Sequence, residues 1–374
     1  MDSKKILFCG DFFASNVEQL KFSDDLSTLI KSCDACCCNF EAPLKSKELI
    51  SKAGPVLCQS DNAPSFLESN GFNVITLANN HIRDYGNEGI ENTIKGFKSS
   101  LLVGAGNKKQ AYELKIKNIG EIQIGFLSFS HYEFGIVDEG CGNENYLGGA
   151  WINSQIVDEL IRRAKNIVDY LFILPHAGIE EIDLPLPEWR ERYRQFILLG
   201  ADAVIATHPH VPQGWEIFDG KYIFYSLGNF YFDMYSKSRY WNCSLGVLFE
   251  IRENSLSLKH VYNLKYSLDK VEIDISDKIK LHIKDLNSQL NSEKSYMDNI
   301  NKIAIECWYN TYEKYYISLF NGITLKYGLY FFVKSIYRCA FNKKNYALLL
   351  NLSRCESHKW IIIRALTILD NVDL

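Results

Sequence analysis

Along the first 210 residues, apolar positions come as short unbroken runs, each giving way to a polar or glycine-rich loop and then to a longer amphipathic stretch. Near-continuous apolar runs suit strands covered on both faces, and their alternation with amphipathic stretches predicts a βα rhythm. "KKILFCG", "ACCCNF", "FNVITLA" and "LFILPHA" read as buried strands, with "GADAVIA" the next. Helices are expected near Asp61 to Asn70, Asn87 to Lys98, Asn153 to Lys165 and Pro187 to Leu199. Asp61 has the chemistry of an N-cap, Pro187 sits where helix starts tolerate proline, and Gly200 where helix ends favour glycine.

From Gly214 to Val261 the pattern changes to hairpins. "GWEIFDGKYIFYS" is two strands around Asp219-Gly220, a dipeptide suited to a tight turn, and "CSLGVLFEIRENSLSLKHVYNL" repeats the arrangement around Asn254. Beyond about Asp274 the apolar positions return to helical spacing, as at Leu329, Phe332, Val333 and Ile336 and again from Trp360 to Leu369. The expectation is an α/β body over residues 1–265 and a helical region over 266–374.

Composition narrows the class. The 374 residues are 47% hydrophobic and 23% charged, which excludes a disordered chain. Eleven cysteines without framework spacing point to a reducing cytoplasm rather than a disulfide scaffold. Cys33 and Cys36 form a single C-x-x-C without a second pair, and Cys36, Cys37 and Cys38 read as small core residues on a strand. The run Ile6 to Cys9 is too short for a signal-peptide core, and no run of roughly 18 apolar residues exists to span a bilayer. A cytoplasmic protein is therefore expected.

Charge is uneven. Lys and Arg number 41 against 45 Asp and Glu, a net −4; from Asn301 onward ten basic residues face five acidic ones, so this stretch carries +5 and the remainder −9. The basic stretch suits weak contact with an anionic lipid surface at the inner membrane face, or a solvated helical surface. No nucleic-acid partner is expected.

Ligands of open α/β sheets bind beyond the carboxyl ends of the strands, so the residues there are the candidates for chemistry. They are Asp11 after the first run, Asn39 and Glu41 after the second, Asn79, Asn80 and His81 after the third, His176 after the fourth, and His208 and His210 after the fifth. Singly, each has a structural explanation as a turn or helix cap. Five consecutive strand ends bearing oxygen and nitrogen donors converge on one rim if the strands lie side by side. Carboxylates, imidazoles and an amide oxygen are a mixed hard and borderline donor set, suited to one or two divalent ions such as Mn, Zn or Fe. Such ions clamp a phosphoryl group and activate a water.

The stretches "FCGDFF", "CNFEAPL", "TLANNHIRDYGNEGIENTI", "VGAGNKKQAYE", "LPHAGIEEIDLPLPEWRERYRQFILLGADAVIATHPHVPQG" and "YIFYSLGNFYFD" resemble, in order, the bacterial CapA family typified by poly-gamma-glutamate capsule synthesis. The resemblance spans about Lys5 to Asp233 and implies a calcineurin-like metallophosphoesterase α/β sandwich, two mixed sheets flanked by helices, with a C-terminal helical extension. It implies Asp11 as the first metal aspartate, Glu41 as a bridging carboxylate, Asn80 as the ligand asparagine and His176, His208 and His210 as the late histidine ligands. His81 beside Asn80 then matches a general acid, held by Asp84. Arg83 is a candidate for a substrate anion, Asn39, Asn79 and Asn229 for support of the ligands, and Glu180 matches an acidic position of open role.

One departure bears on mechanism. The superfamily usually opens with Asp-x-His, whereas Asp11 is followed by Phe12 and Phe13. One ion would then keep Glu41, Asn80, His176 and His208, and the other only Asp11, Glu41 and His210. Two functions remain open: a metal-dependent phosphoesterase acting on a phosphorylated or anionic polymer intermediate, and a non-hydrolytic metal-binding component that works with other capsule-synthesis proteins.

Overall fold

A computed structural model describes residues 3–252, 255–320, 322–341 and 345–372. They fall into two compact units, one of residues up to 50 with 56–291, the other of 51–55 with 292–374.

The first unit is an α/β sandwich. One sheet has nine strands among the described residues, eight of them in the order Lys21–Phe22, Lys270–Ile273, Ser255–Tyr266, Cys243–Arg252, Lys4–Phe13, Ala35–Phe40, Val74–Thr76, Leu101–Val103. The ninth, Asn229–Phe232, pairs in parallel with the carboxyl end of Lys4–Phe13. The other sheet runs Trp215–Phe218, Lys221–Phe224, Ala203–Ile205, Tyr170–His176, Ile122–Ser130, Lys115–Ile119. Phe8 of the first sheet lies 4.8 Å from Phe172 and 6.5 Å from Phe126 of the second, and Phe249 lies 5.6 Å from Phe172. This aromatic layer joins the two inner faces. Burying both faces explains why these strands read as unbroken apolar runs.

Helices cover the outer faces. Asp24–Lys31, Ala63–Ser69 and Gly86–Gly96 bury Leu26, Ile30, Leu67 and Ile90 in the cluster that also holds Cys36 and Cys38. On the second sheet, Val157–Lys165 buries Ile161 and Ala164, and Pro187–Leu198 sets Phe196 6.3 Å from Phe129. All four expected helices occupy their stretches with ends shifted by a few residues. Asp61 is not the cap of the first: Asn62 occupies that position, without a side-chain hydrogen bond, and the helix begins at Ala63. Pro187 stands in the first turn of its helix and Gly200, at φ +117°, follows its end.

Asp219 and Gly220 turn the first hairpin with φ of 50° and 73°, the double positive φ that matches the twist of its strands. The second hairpin pairs Arg252 with Ser255; its expected turn at Asn254 lies outside the described residues. The first unit extends past the expected 265/266 line. Lys270–Ile273 adds a strand to the larger sheet, and helix Asp277–Leu290 is tied down by Arg190, which donates to the Leu290 carbonyl at 2.8 Å, and by Asn287, which accepts from the Trp215 amide at 2.8 Å.

The second unit is helical, with Glu293–Cys307, Glu313–Leu319, Leu329–Phe341, Tyr346–Arg354 and Glu356–Val372. Ile361, Ile362 and Ala365 are buried, whereas Leu329, Val333 and Ile336, which read as one helix face, are exposed. No helix of the described residues is long and apolar enough to cross a membrane.

Candidate metal centre

The rim is built by parallel register. Asp11 pairs with Asn39 on one side and Asn229 on the other, and Asn39 pairs with Thr76. Asp11 thus lies inside its strand, at a bulge between Asp11 and Phe12, rather than after it. Two glycines let the strands approach this closely. A Cβ on Gly10 would sit 1.8 Å from the Gly228 carbonyl oxygen, and Gly228 itself holds φ +73°, with the Asp11 amide donating to its carbonyl at 2.9 Å. In the second sheet the Ala177 and Thr207 amides bond across the strand tips, to the Thr207 and Pro175 carbonyls, bringing His176 beside the loop of His208 and His210.

Asp11, Glu41, Asn80, His176, His208 and His210 are all nine-tenths buried or more. They fall into two groups of carboxylate and imidazole donors: Glu41, His176 and His208, and Asp11, Glu41 and His210, with the ligand atoms of each group within 4.8 Å of one another. Glu41 is common to both. Its Oε1 is 3.8 Å from His176 Nε2 and 3.5 Å from His210 Nε2. Asn80 joins the first group through Oδ1, 3.1 Å from His176 Nε2.

A surrounding layer of hydrogen bonds sets the donors' orientation. Asn39 Nδ2 donates to Asp11 Oδ1 at 2.8 Å, while its Oδ1 accepts from Thr76 and Asn79. Asn79 Oδ1 accepts from the His81 amide at 3.2 Å, pinning the loop that carries Asn80. The Asn229 Oδ1 lies 2.9 Å from His210 Nδ1, so with Nδ1 carrying the proton the Nε2 lone pair faces Glu41. His81 Nδ1 lies 2.7 Å from Asp84 Oδ2, and both side chains are buried.

Backbone strain marks the same place. Ala42, His208 and His210 have φ of 89°, 101° and 58°. Non-glycine residues in this region cost about 1–3 kcal/mol each and persist only where their surroundings over-determine them, a concentration typical of functional sites. The electrostatics agree. Burial pushes the His176 imidazole down to about 4 against the pull of Asp11, and burial beside His131, His176 and His210 pushes His208 well below the ordinary histidine value. Burial acts to raise the Asp11 carboxyl, yet the hydrogen bond and charge of His176, with His210 and the His208 amide, bring it below the ordinary value. Near neutral pH Asp11 is therefore ionised and His176 and His208 are neutral, the protonation states that coordinate metal.

Two candidates, Arg83 and Glu180, are not in these donor groups. Arg83 donates from Nε to the Leu147 carbonyl at 2.9 Å and lies 4.0 Å over the Tyr146 ring, holding the loop before Gly148. Glu180 is exposed in the turn after His176. Two residues not singled out in the sequence join the rim: His131 and Glu133, which with His208 form a third donor group. Their signal was the strand-end rule itself, since His131 directly follows Ser130 at the end of Ile122–Ser130.

Residues 5–234 match the family model for the bacterial capsule synthesis protein PGA_cap. The chain is 30% identical over 250 residues to the capsule biosynthesis protein CapA of Bacillus anthracis, covering 64% of this chain and 60% of that one. It is 30% identical over 244 residues to the PGA biosynthesis protein CapA of Bacillus subtilis strain 168, covering 60% of this chain and 62% of that one. It thus spans about three fifths of the length of these relatives. Among solved structures, TT1561 of Thermus thermophilus matches 68% of this chain and 98% of its own at 11% identity and a TM-score of 0.39. The Thermus thermophilus sulfate thiohydrolase SoxB matches 72% and 56% at 10% identity and a TM-score of 0.39. The matched segment begins in the Asp11 strand and ends just past Asn229, so it contains every residue of the two Glu41 groups, and the chain belongs to the bacterial capsule synthesis protein PGA_cap family.

Proposed function

We propose that this chain is a divalent-metal-dependent phosphoesterase acting in capsule or surface-polymer biosynthesis, on a phosphorylated or phosphodiester-linked anionic intermediate. The observation that carries the reading is the pair of buried donor groups sharing Glu41, beside the His81–Asp84 pair. Family membership supplies the capsule context.

The donor set fits the ion. Two carboxylates, three imidazoles and an amide oxygen, all buried, suit Mn, Zn or Fe, and no cysteine takes part. Glu41, Asn80, His176 and His208 would hold one ion, and Asp11, Glu41 and His210 a second. Bound there, such an ion polarises a phosphoryl oxygen and lowers the pKa of a bound water. The chain's own groups do the rest. Asn39 and Asn229 hold Asp11 and His210 in place, and burial keeps bulk water away. With Nδ1 engaged by Asp84, protonated His81 gives up a proton from Nε2 to the leaving oxygen, and the Asp84 carboxylate stabilises the charged imidazole beforehand.

The second reading is a metal-binding component of a capsule-synthesis or export assembly that hydrolyses nothing. Phe13 favours it: the position of the missing imidazole is buried against Phe232, with ring centroids 5.0 Å apart, and the Asp11 group has three ligands. The basic helical stretch beyond Asn301 suits weak contact with anionic lipid in either reading.

The readings separate on one experiment. Full-length protein is analysed for Mn, Zn and Fe and assayed with bis-p-nitrophenyl phosphate. The hydrolase reading expects metal-dependent cleavage that falls by roughly 10²–10⁴ in His81→Ala with metal content retained, and that disappears with the metal in His208→Ala. Metal bound without cleavage supports the second reading, and cleavage undiminished in both variants sinks the first.

A further inference from the structure

The third donor group joins His208 to two residues, His131 and Glu133, to which the sequence resemblance assigns nothing. His131 is 1% exposed, and its amide donates to the His176 carbonyl at 3.1 Å, so its backbone is locked to the tip of the neighbouring strand. Its ring centroid is 4.5 Å from that of His208, which in turn is 4.7 Å from His176, making a run of three buried imidazoles. Glu133 Oε2 is 3.4 Å from His131 Nε2 and accepts from Asn80 Nδ2 at 2.9 Å, with its side chain 12% exposed. Ligand atoms of His131, Glu133 and His208 lie within 4.8 Å of one another.

We propose that His131, Glu133 and His208 form a divalent-metal position of their own, in addition to the two centred on Glu41. Two imidazoles and one carboxylate are the protein ligands of many zinc sites that keep an open fourth position. The group is preorganised: His131 is held by its strand, and Glu133 is held by the Asn80 amide. Its place also matters. Phe13 leaves the Asp11 end of the rim short of an imidazole, and His131 adds one at the end where Asn80 and His208 already stand. Metal capacity in this chain is thereby weighted toward the His208 end. The proposal shares His208 with the Glu41-centred reading but not Glu41, which allows the two to be tested apart.

The experiment is a Zn²⁺ titration of the full chain, read by isothermal calorimetry and by metal analysis after desalting. Glu41→Gln removes the carboxylate common to the other two groups; this variant is expected to keep one zinc equivalent, which Glu41→Gln/His131→Ala and Glu41→Gln/Glu133→Gln lose. Thermal unfolding without metal checks that each variant is folded, with His131→Asn in place of His131→Ala where the alanine fails. Zinc bound equally well by the single and double variants overturns the proposal, as does a Glu41→Gln chain that binds none. In the wild-type background, His131→Ala or Glu133→Gln that leaves the number of ions unchanged and weakens each by about 10–100-fold would assign these residues to positioning Asn80 instead, and likewise overturns it. A wild-type chain that binds no more zinc than Glu41→Gln overturns the Glu41-centred reading while leaving this one standing.

Discussion

Two buried polar clusters in the first unit solve the same electrostatic problem differently. At the outer sheet edge, Glu216 accepts from Arg194 at 2.7 and 2.9 Å, from Arg190 at 2.8 Å and from the Tyr225 hydroxyl at 2.5 Å. The carboxylate is answered by fixed cations, and Arg190 passes a further bond to the Leu290 carbonyl. At the rim, Asp11 is as deeply buried, but its ion-pair contacts are imidazoles, His176 at 3.6 Å and His210 at 3.7 Å, and burial pushes His176 toward its neutral form. Its other contacts are an amide and a backbone N–H. The first cluster is complete in the chain itself and serves the fold. The second gathers donors of electron pairs and holds three residues at positive φ, the signature of a place shaped for something else.

The largest test of this contrast is Glu216→Leu. Removing the carboxylate takes away the anion that Arg190 and Arg194 share, and breaking such a buried pair costs about 3–5 kcal/mol. Chemical denaturation should show a loss of that size, with the metal content of the folded fraction unchanged. If metal binding falls in proportion, the two clusters are not independent. A smaller effect is expected at the rim itself. Asn229→Ala removes the acceptor that orients His210, and loss of such a partner weakens metal affinity by about 10–100-fold; calorimetric titration with Mn²⁺ reads it, and unaltered affinity would place Asn229 with the fold. The mildest test is acid. Burial acts to raise the Glu216 carboxyl, but hydrogen bonds from Arg194, Arg190 and Tyr225 hold it down to about 2 from an ordinary 4.5. A carboxyl depressed in the folded state contributes stability in full above its unfolded value and loses it as pH falls through its folded one. Wild-type protein should therefore lose stability between about pH 4.5 and 2 more steeply than Glu216→Gln, and parallel pH curves would show that the cluster is not the source.

The rim was readable in the sequence because strand ends in α/β folds are where loops carry chemistry, and Asp11, Glu41, Asn80, His176, His208 and His210 all follow or close apolar runs. The same rule covers His131, at the end of "IQIGFLSFS", but that run is not among those read as strands from the sequence, and the residue is missed with it. Arg83 shows the opposite limit. It stands two residues from His81, but the side chain is long, and the Leu147 carbonyl and Tyr146 ring decide where it goes. The exposed face at Leu329, Val333 and Ile336 is a third case: helical spacing defines a stripe without saying what covers it.

What the sequence determined by itself was local and periodic: the apolar runs that become strands buried on two faces, the hairpin at Asp219-Gly220, the helix entered at Pro187 and the donor types at the ends of the strands. Spacing alone carries these, since burial period and turn chemistry act over a few residues. Tertiary structure decided which donors meet. Parallel register aligned Asp11 with Asn39, the approach of Gly10 to Gly228 closed the gap beside Asp11, and the strained backbone at His208 and His210 turned two neighbouring imidazoles into separate groups joined through Glu41. Those contacts link residues far apart in the chain, and only the packed sheets bring them within ligand distance.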